Sequence, residues 1–321
     1  MKSLGGGRYA IDRVFADGGG MGIIYAAHDT RCAQNKVLIK TTRYDTGRHL
    51  RNFRYTADEA VKHIAQTRKI LEWEKKVLVR FRNDGLNNLP SPNNFFYDRS
   101  LTLAERYEGR AGHYALPGDL LDSEPYLVME YIDGAMLETR LHEPAFRARL
   151  EERLLTLSRE VLTALIRLHR PFEINGRKAC FLYQDMKPAN ILVSHDDYFT
   201  LIDFGGVTLR LGDRTTEPTA GCITPGYAAP EASDGREHQI DARFDIYTLG
   251  ATLWHAVTTE DPRELGSEFP HLDPAKMRGK GVSEPFIQIA ARALARDPDK
   301  RYPSAAAMRK DVMDRLRDLR A

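Results

Sequence analysis

Cysteine is scarce in this chain: three residues among 321, Cys32, Cys180 and Cys222, with no C-x-x-C spacing. An odd count without that spacing excludes a disulfide framework or cysteine-based zinc site, fits a reducing compartment, and leaves each thiol expected as a small buried hydrophobe. Long apolar runs are missing too. The longest candidate, Ile246 to Val257, is interrupted by Tyr247, Thr248 and His255 and falls short of the roughly 18–20 residues that cross a bilayer. No membrane insertion is expected. The opening residues, Met1 to Gly7, carry one lysine but no apolar h-region, so a secretory signal peptide is not expected and a cytoplasmic location is. Neither sign of charge dominates: 47 Lys plus Arg against 45 Asp plus Glu give a formal charge of +2. The basic excess of a nucleic-acid groove is absent, and no such partner is expected.

The rest is ordinary globular composition, 42% hydrophobic with 24 Gly and 16 Pro, long enough for two folding units at about 150 residues each. Short apolar runs broken by glycines follow one another from Tyr9 to Lys40 and read as strand, turn, strand, turn, strand. Ala60, Ile64, Ile70, Leu71, Val77, Leu78 and Phe81 recur at helical spacing over Thr56 to Phe81. Tyr126 to Tyr131 reads as a buried strand, and beyond it the pattern turns helical over 150–169, 241–257, 284–295 and 304–319. The exception is a hairpin-like pair, Ile191 to Val193 and Phe199 to Ile202. The expectation is an α+β chain: 1–8 as a leader, 9–131 strand-rich with insertions near 42–58 and 99–122, and 132–321 mainly helical. The end on a charged helical segment leaves open that the chain is a module of a longer protein.

The densest polar cluster, Tyr183 to Asn190, immediately precedes the first strand of that hairpin, and Asp203 follows the second. A tight hairpin brings Asn190 and Asp203 to one end of two paired strands, where two oxygen-bearing side chains suit Mg²⁺ that keeps phosphate oxygens and water as its other ligands. Asp185 is then close enough to take a proton from a substrate hydroxyl, and Lys187 to neutralise charge on a moving phosphoryl group.

With these pieces in order the chain resembles the eukaryotic-type serine/threonine protein kinases, bacterial branch, over residues 9–316. It shows a Gly-rich turn at Asp17 to Gly22, a V-A-I-K-like Val37-Leu38-Ile39-Lys40 and a hinge-like Leu127 to Tyr131. A catalytic-loop-like Asp185-Met186-Lys187-Pro188-Ala189-Asn190, a D-F-G at Asp203 to Gly205 and an A-P-E at Ala229 to Glu231 follow. The resemblance implies a bilobal protein-kinase-like fold, an N-lobe antiparallel sheet with one main helix and a mostly helical C-lobe, with Arg301 meeting Glu231 and Asp245 bracing the catalytic loop.

It also implies a site. Gly18, Gly19, Gly20 and Gly22 would cover the phosphates of ATP; Lys40 would bind them, held by Glu74, with Glu72 and Glu59 as fallbacks. Ile24 and Leu38 above and Leu192 below would sandwich adenine, with Glu130 and Ile132 as edge partners and Met129 behind. Asp185 and Lys187 would serve the transfer, and Asn190 and Asp203 would hold Mg²⁺, with Mn²⁺ as substitute. The D-x-K-P-x-N form and Thr224-Pro225-Gly226-Tyr227 resemble the branch that phosphorylates serine and threonine in proteins, autophosphorylation included. The chain departs from the pattern at Asp17 for the first glycine, Leu38 for alanine, and Tyr183-Gln184 for His-Arg before the aspartate. Tyr183 is expected buried beside Phe204 and Leu78. Without that arginine, activity is expected not to need an activation-segment phosphate. The alternatives are a pseudokinase scaffold that binds nucleotide without transfer, and a small-molecule kinase. The oligomeric state and the Arg43, Arg48, Arg51 and Arg54 insertion receive no assignment.

Overall fold

The computed structural model describes residues 2–16, 22–32, 35–42, 57–85, 89–101, 118–212, 214–215, 223–232, 240–267 and 269–321. They fall into two compact units, Met1–Arg80 with Pro90–Tyr131, and Phe81–Leu89 with Ile132–Ala321.

In the first unit, β1 (Ser3–Leu4), β2 (Tyr9–Ala16), β3 (Gly22–Asp29), β4 (Asn35–Thr42), β5 (Pro92–Asp98) and β6 (Glu124–Glu130) form an antiparallel sheet in the order β1-β2-β3-β4-β6-β5. Two-residue periodicity sends Val37 and Ile39 of β4 into a core with Tyr25, Ala27, Tyr126 and Val128, leaving Leu38 and Lys40 to the other face. Stacking of Tyr9 on Phe96, with centroids 5.4 Å apart, extends that core.

The stretch expected as a leader is corrected here. Ser3 and Leu4 pair with Ala10 and Tyr9, and Leu4 is buried. The connection is Gly5-Gly6-Gly7, all at φ between +62° and +88°, a left-handed path that residues with a Cβ resist. Helix α1 (Ala57–Asn83) is the main helix. The insertion's arginines at 43, 48, 51 and 54, with most of the 99–122 stretch, lie outside the described residues. Cys32 is a second correction: it sits exposed in the turn after β3, where its N–H and carbonyl close bonds to Asp29 and Asn35. Cys180 is half-buried and Cys222 lies outside the described residues.

The second unit is built on α2 (Leu150–Leu168), α3 (Ala242–Thr258), α4 (Glu284–Ala293) and α5 (Ala305–Arg320). Asp241, Ser283 and Ser304 cap the last three by accepting a first-turn N–H. Helix α3 is buried on every side from Phe244 to Thr258, its polar stripe of Asp245, Thr248, Thr252 and His255 included. Its threonines return their hydroxyls to the helix: Thr248, Thr252 and Thr258 donate to the carbonyls of Asp245, Thr248 and Trp254 at 2.8–3.0 Å. Among the described residues no helix is long and apolar enough to cross a membrane.

The expected hairpin is present as two paired strands, but the helical reading of the rest of this unit missed the others. β7 (Gly134–Met136) joins β10 (Ile191–Ser194) and β11 (Phe199–Leu201) in a three-stranded sheet. β8 (Phe172–Ile174), β9 (Arg177–Leu182), β12 (Thr208–Leu211) and β13 (Arg214–Thr215) form another. The β8–β9 turn is Asn175-Gly176 with φ of +50° and +72°. That dipeptide is the strongest short-range hairpin signal and was there to be read.

Candidate functional site

Lys40 projects from β4 into a buried position, 4% exposed, and its Nζ donates to both carboxylate oxygens of Glu74 on α1, at 2.9 and 2.7 Å. The fallbacks are differently placed: Glu72 accepts from the Tyr97 hydroxyl and Glu59 is exposed. A Cβ at Gly22 would lie 2.9 Å from Lys40 Cε and from the Thr41 carbonyl. Glycine at that position therefore leaves room for the lysine stem, whatever it also does for a phosphate.

Sequence reasoning overlooked a second tie on the same helix. Arg68 donates to Glu124 at 3.0 Å, to Ser123 at 2.9 Å and to the Leu120 carbonyl at 2.6 Å. Glu124, wholly buried, also accepts from the hydroxyls of Thr41 and Thr42. The pair is hydrogen-bonded throughout, the condition under which a buried ion pair persists. Helix α1 is thus fastened to β4 twice, directly through Glu74 and through Glu124 by way of Arg68. Neither Arg68 nor Glu124 belongs to a motif, so no local signal marked them.

Of the residues expected around adenine, Ile24 lies opposite Lys40 on β3, and Leu38 opposite Met129 across β4 and β6. The Glu130 N–H donates to the Ser91 carbonyl at 3.0 Å, and its carboxylate accepts from the Ser91 N–H at 3.1 Å. Ile132 opens the second unit, and Leu192 is buried in β10. Asp17, Gly18, Gly19 and Gly20 lie outside the described residues.

The second cluster sits on the loop from β9 into β10. One Asp185 carboxylate oxygen accepts from Lys187 Nζ at 2.8 Å and Asn190 Nδ2 at 2.9 Å; the other accepts from the Thr224 hydroxyl at 2.5 Å. Lys187 also donates to Thr224 Oγ1 at 2.7 Å. Thr224 is thus a member of the constellation that sequence reading had placed only in a signature run. Burial pushes the Asp185 carboxyl above its ordinary range, and the Lys187 ammonium beside it pulls the other way. The register Ile191 to Leu201, with the Ile202 N–H on the Asn190 carbonyl at 3.0 Å, brings Asn190 and Asp203 to one end of the hairpin. Asp203 stands at φ +63°, a conformation retained where the surroundings over-determine it. Asn190 spends its amide nitrogen on Asp185, and its amide oxygen has no donor among the described residues. A free amide oxygen and a half-buried carboxylate suit a hard divalent cation.

The supports are as buried as the site. Asp245 accepts from the Tyr183 and Gln184 N–H groups at 2.9 and 2.7 Å and faces His169 Nε2 at 2.8 Å. Tyr183 is fully buried edge-to-face with Phe204, centroids 5.3 Å apart, and its hydroxyl donates to the Ile202 carbonyl. Gln184, at φ +65° and 2% exposed, leaves both ends of its side-chain amide without a partner among the described residues. The Thr208 hydroxyl, on the strand paired with Leu182, is in the same state. Glu231 meets Arg301 at 2.7 and 2.8 Å. Gly226 stands at φ +89°, and a Cβ there would come within 2.7–2.8 Å of the Pro262–Arg263 backbone. Gly226→Ala combines strain and clash, so a loss of about 1–3 kcal/mol is expected in thermal or urea unfolding; a variant as stable as the parent would contradict this packing.

The family model described as protein kinase domain matches residues 115–313. The chain is 30% identical to "Probable serine/threonine-protein kinase SCO3848" of Streptomyces coelicolor, over 96% of this chain and 40% of that protein. It is 31% identical to serine/threonine-protein kinase PknB of Mycobacterium tuberculosis, over 59% of this chain and 30% of the other. The chain therefore spans well under half the length of these relatives. The solved structure "PpkA-294 apo form" aligns over 95% of this chain and 96% of its own with a TM-score of 0.61 at 18% identity, a likeness of fold. Sheet and helices, the ordered motifs and the match over most of the sequence lead to one conclusion: the chain belongs to the protein kinase domain family.

Proposed function

We propose that the chain is an ATP-dependent serine/threonine protein kinase domain, moving the γ-phosphoryl of Mg-ATP to a protein hydroxyl, its own included. The observation that carries this is the Asp185 carboxylate, buried yet bonded at once to Lys187, Asn190 and Thr224. A base that must receive a proton while a phosphoryl group passes needs a nearby cation and a fixed orientation, which Lys187 and Asn190 supply. Lys40, held on Glu74, supplies a charge for the phosphates. Asn190 and Asp203 would hold Mg²⁺, or Mn²⁺ in its place, and the ion would neutralise charge on the phosphate oxygens. The names of the relatives support serine and threonine as acceptors.

The neutral Gln184 bears on control. A phosphorylated activation segment is gripped through charge-assisted bonds, and Gln184, at the position of the family's arginine, has no charge to offer. A Thr215→Ala, Thr216→Ala, Thr219→Ala triple variant is expected to keep activity within about twofold, a change near 0.4 kcal/mol in barrier. Thr224 is left intact because it holds Asp185 and Lys187. Loss of most of the activity in the triple variant would defeat the reading.

The test of function is transfer of label from γ-labelled ATP, with Mg²⁺, to the purified chain and to a generic basic protein. Label on serine or threonine, absent after chelation and absent in Asp185→Ala, is the expected result. Nucleotide-dependent stabilisation, about 2.7 kcal/mol at a hundred times the dissociation constant, with no transfer under any condition would overturn it.

A further inference from the structure

Where α2 ends, its last turn and the start of α5 line an open cavity of about 720 Å³ that the phosphotransfer residues do not touch. Three arginines line it: Arg167 and Arg170 at the end of α2, and Arg309 on α5. Arg147 and Arg210 donate to backbone carbonyls, and many other arginines of the unit are paired with a carboxylate, as in Arg153 with Asp197, Arg243 with Asp241, Arg263 with Asp261 and Arg301 with Glu231. Those at the cavity are not. Arg309 gives Nε to the Thr163 hydroxyl at 3.1 Å and has no carboxylate partner among the described residues; Arg167 and Arg170 likewise have none. No acidic side chain lines the wall. The nearby carboxylates are engaged, Asp241 by Arg243, and Asp245 by His169 and two backbone N–H groups.

Two further features point the same way. Ser304, Ala305 and Ala306 form part of the wall, so α5 presents its N-terminus there. Ser304 takes the Ala307 N–H, and the Ala305 and Ala306 N–H groups, which have no intrahelical acceptor, favour negative charge. His169 also lines the cavity, its side chain only 9% exposed, with Nε2 on Asp245 and Nδ1 buried without a partner among the described residues. Ile166, Pro171 and Ala242 complete the lining with apolar surface.

We infer that this cavity binds a small organic phosphomonoester, its phosphate among Arg167, Arg170, Arg309 and the N-terminus of α5, its apolar body against Ile166 and Pro171. Guanidinium forks match phosphate oxygens bidentately. The volume is that of a small-molecule pocket, and the apolar wall gives an organic ester an advantage over bare phosphate. This goes beyond the phosphotransfer reading and does not depend on it, since binding is read directly.

The probe is phenyl phosphate, titrated by calorimetry into the full chain with a non-hydrolysable ATP analogue and Mg²⁺ already saturating. One site is expected, with inorganic phosphate and phenol each at least about tenfold weaker. Arg170→Gln and Arg309→Gln are each expected to weaken phenyl phosphate about tenfold or more, with circular dichroism and melting temperature unchanged. Wild-type affinity in both variants would overturn the inference. So would phenyl phosphate binding no better than phosphate or phenol, or no heat in the millimolar range.

Discussion

Arg301→Leu is expected to destabilise the protein by about 3–5 kcal/mol, read from urea unfolding, because it leaves a carboxylate buried without its cation. Glu231 is 1% exposed and Arg301 2%, and the two meet through both guanidinium nitrogens. The same guanidinium donates to the carbonyls of Ala295, Arg243 and Arg296 at 2.7–3.2 Å and lies 4.8 Å from the centre of the Tyr247 ring. Removal therefore strands one charge and three carbonyls together. Glu231→Leu with Arg301→Leu is expected to recover part of the loss, since a buried pair replaced by apolar side chains is often close to neutral. A single variant within 1 kcal/mol of the parent, on the scale set for buried pairs at about 3–5, would show that the pair contributes little.

Asp185→Asn is expected to lower kcat by about 10²–10⁴-fold, the range for removing a general base, while KM for ATP changes little. The substitution keeps size and one acceptor for Lys187, so the loss isolates basicity. The pH profile carries the sign. The deprotonated carboxylate is the working form, and burial raises its pKa above the usual 3.8. Activity should thus fall, as pH is lowered, at values above the ordinary aspartate range. Lys187 holds that pKa down, so Lys187→Met should move the acidic limb of kcat/KM further up. A limb that stays put in Lys187→Met, or an Asp185→Asn variant retaining more than about a tenth of the rate, would separate Asp185 from the proton transfer.

What could be read in the letters was whatever depends on short-range order. Lys40, Glu74, Asp185, Asn190 and Asp203 lie in runs whose spacing to a strand or helix end is fixed, and the geometry draws them into two polar clusters. The choice of Glu74 over Glu72 followed from helical periodicity, which turns neighbours two residues apart to different faces. Arg68 with Glu124 could not be found that way, because fifty-six positions separate two residues that only folding brings together. Thr224 was visible as part of a run but not as a partner of Asp185, thirty-nine positions away. The β8–β9 hairpin was missed for a different reason: helical weighting of the surroundings overrode a local Asn-Gly signal. The Gly5 to Gly7 turn reads as slack in a sequence and acts as a hinge back into the sheet.

The Asp245 carboxylate links the most enclosed helix to the backbone of Tyr183 and Gln184. Two consecutive amide hydrogens that end on a group from the core open only when the core opens. Heat or denaturant should therefore leave the reacting segment intact until the whole unit melts, so the domain loses its chemistry and its fold in a single event.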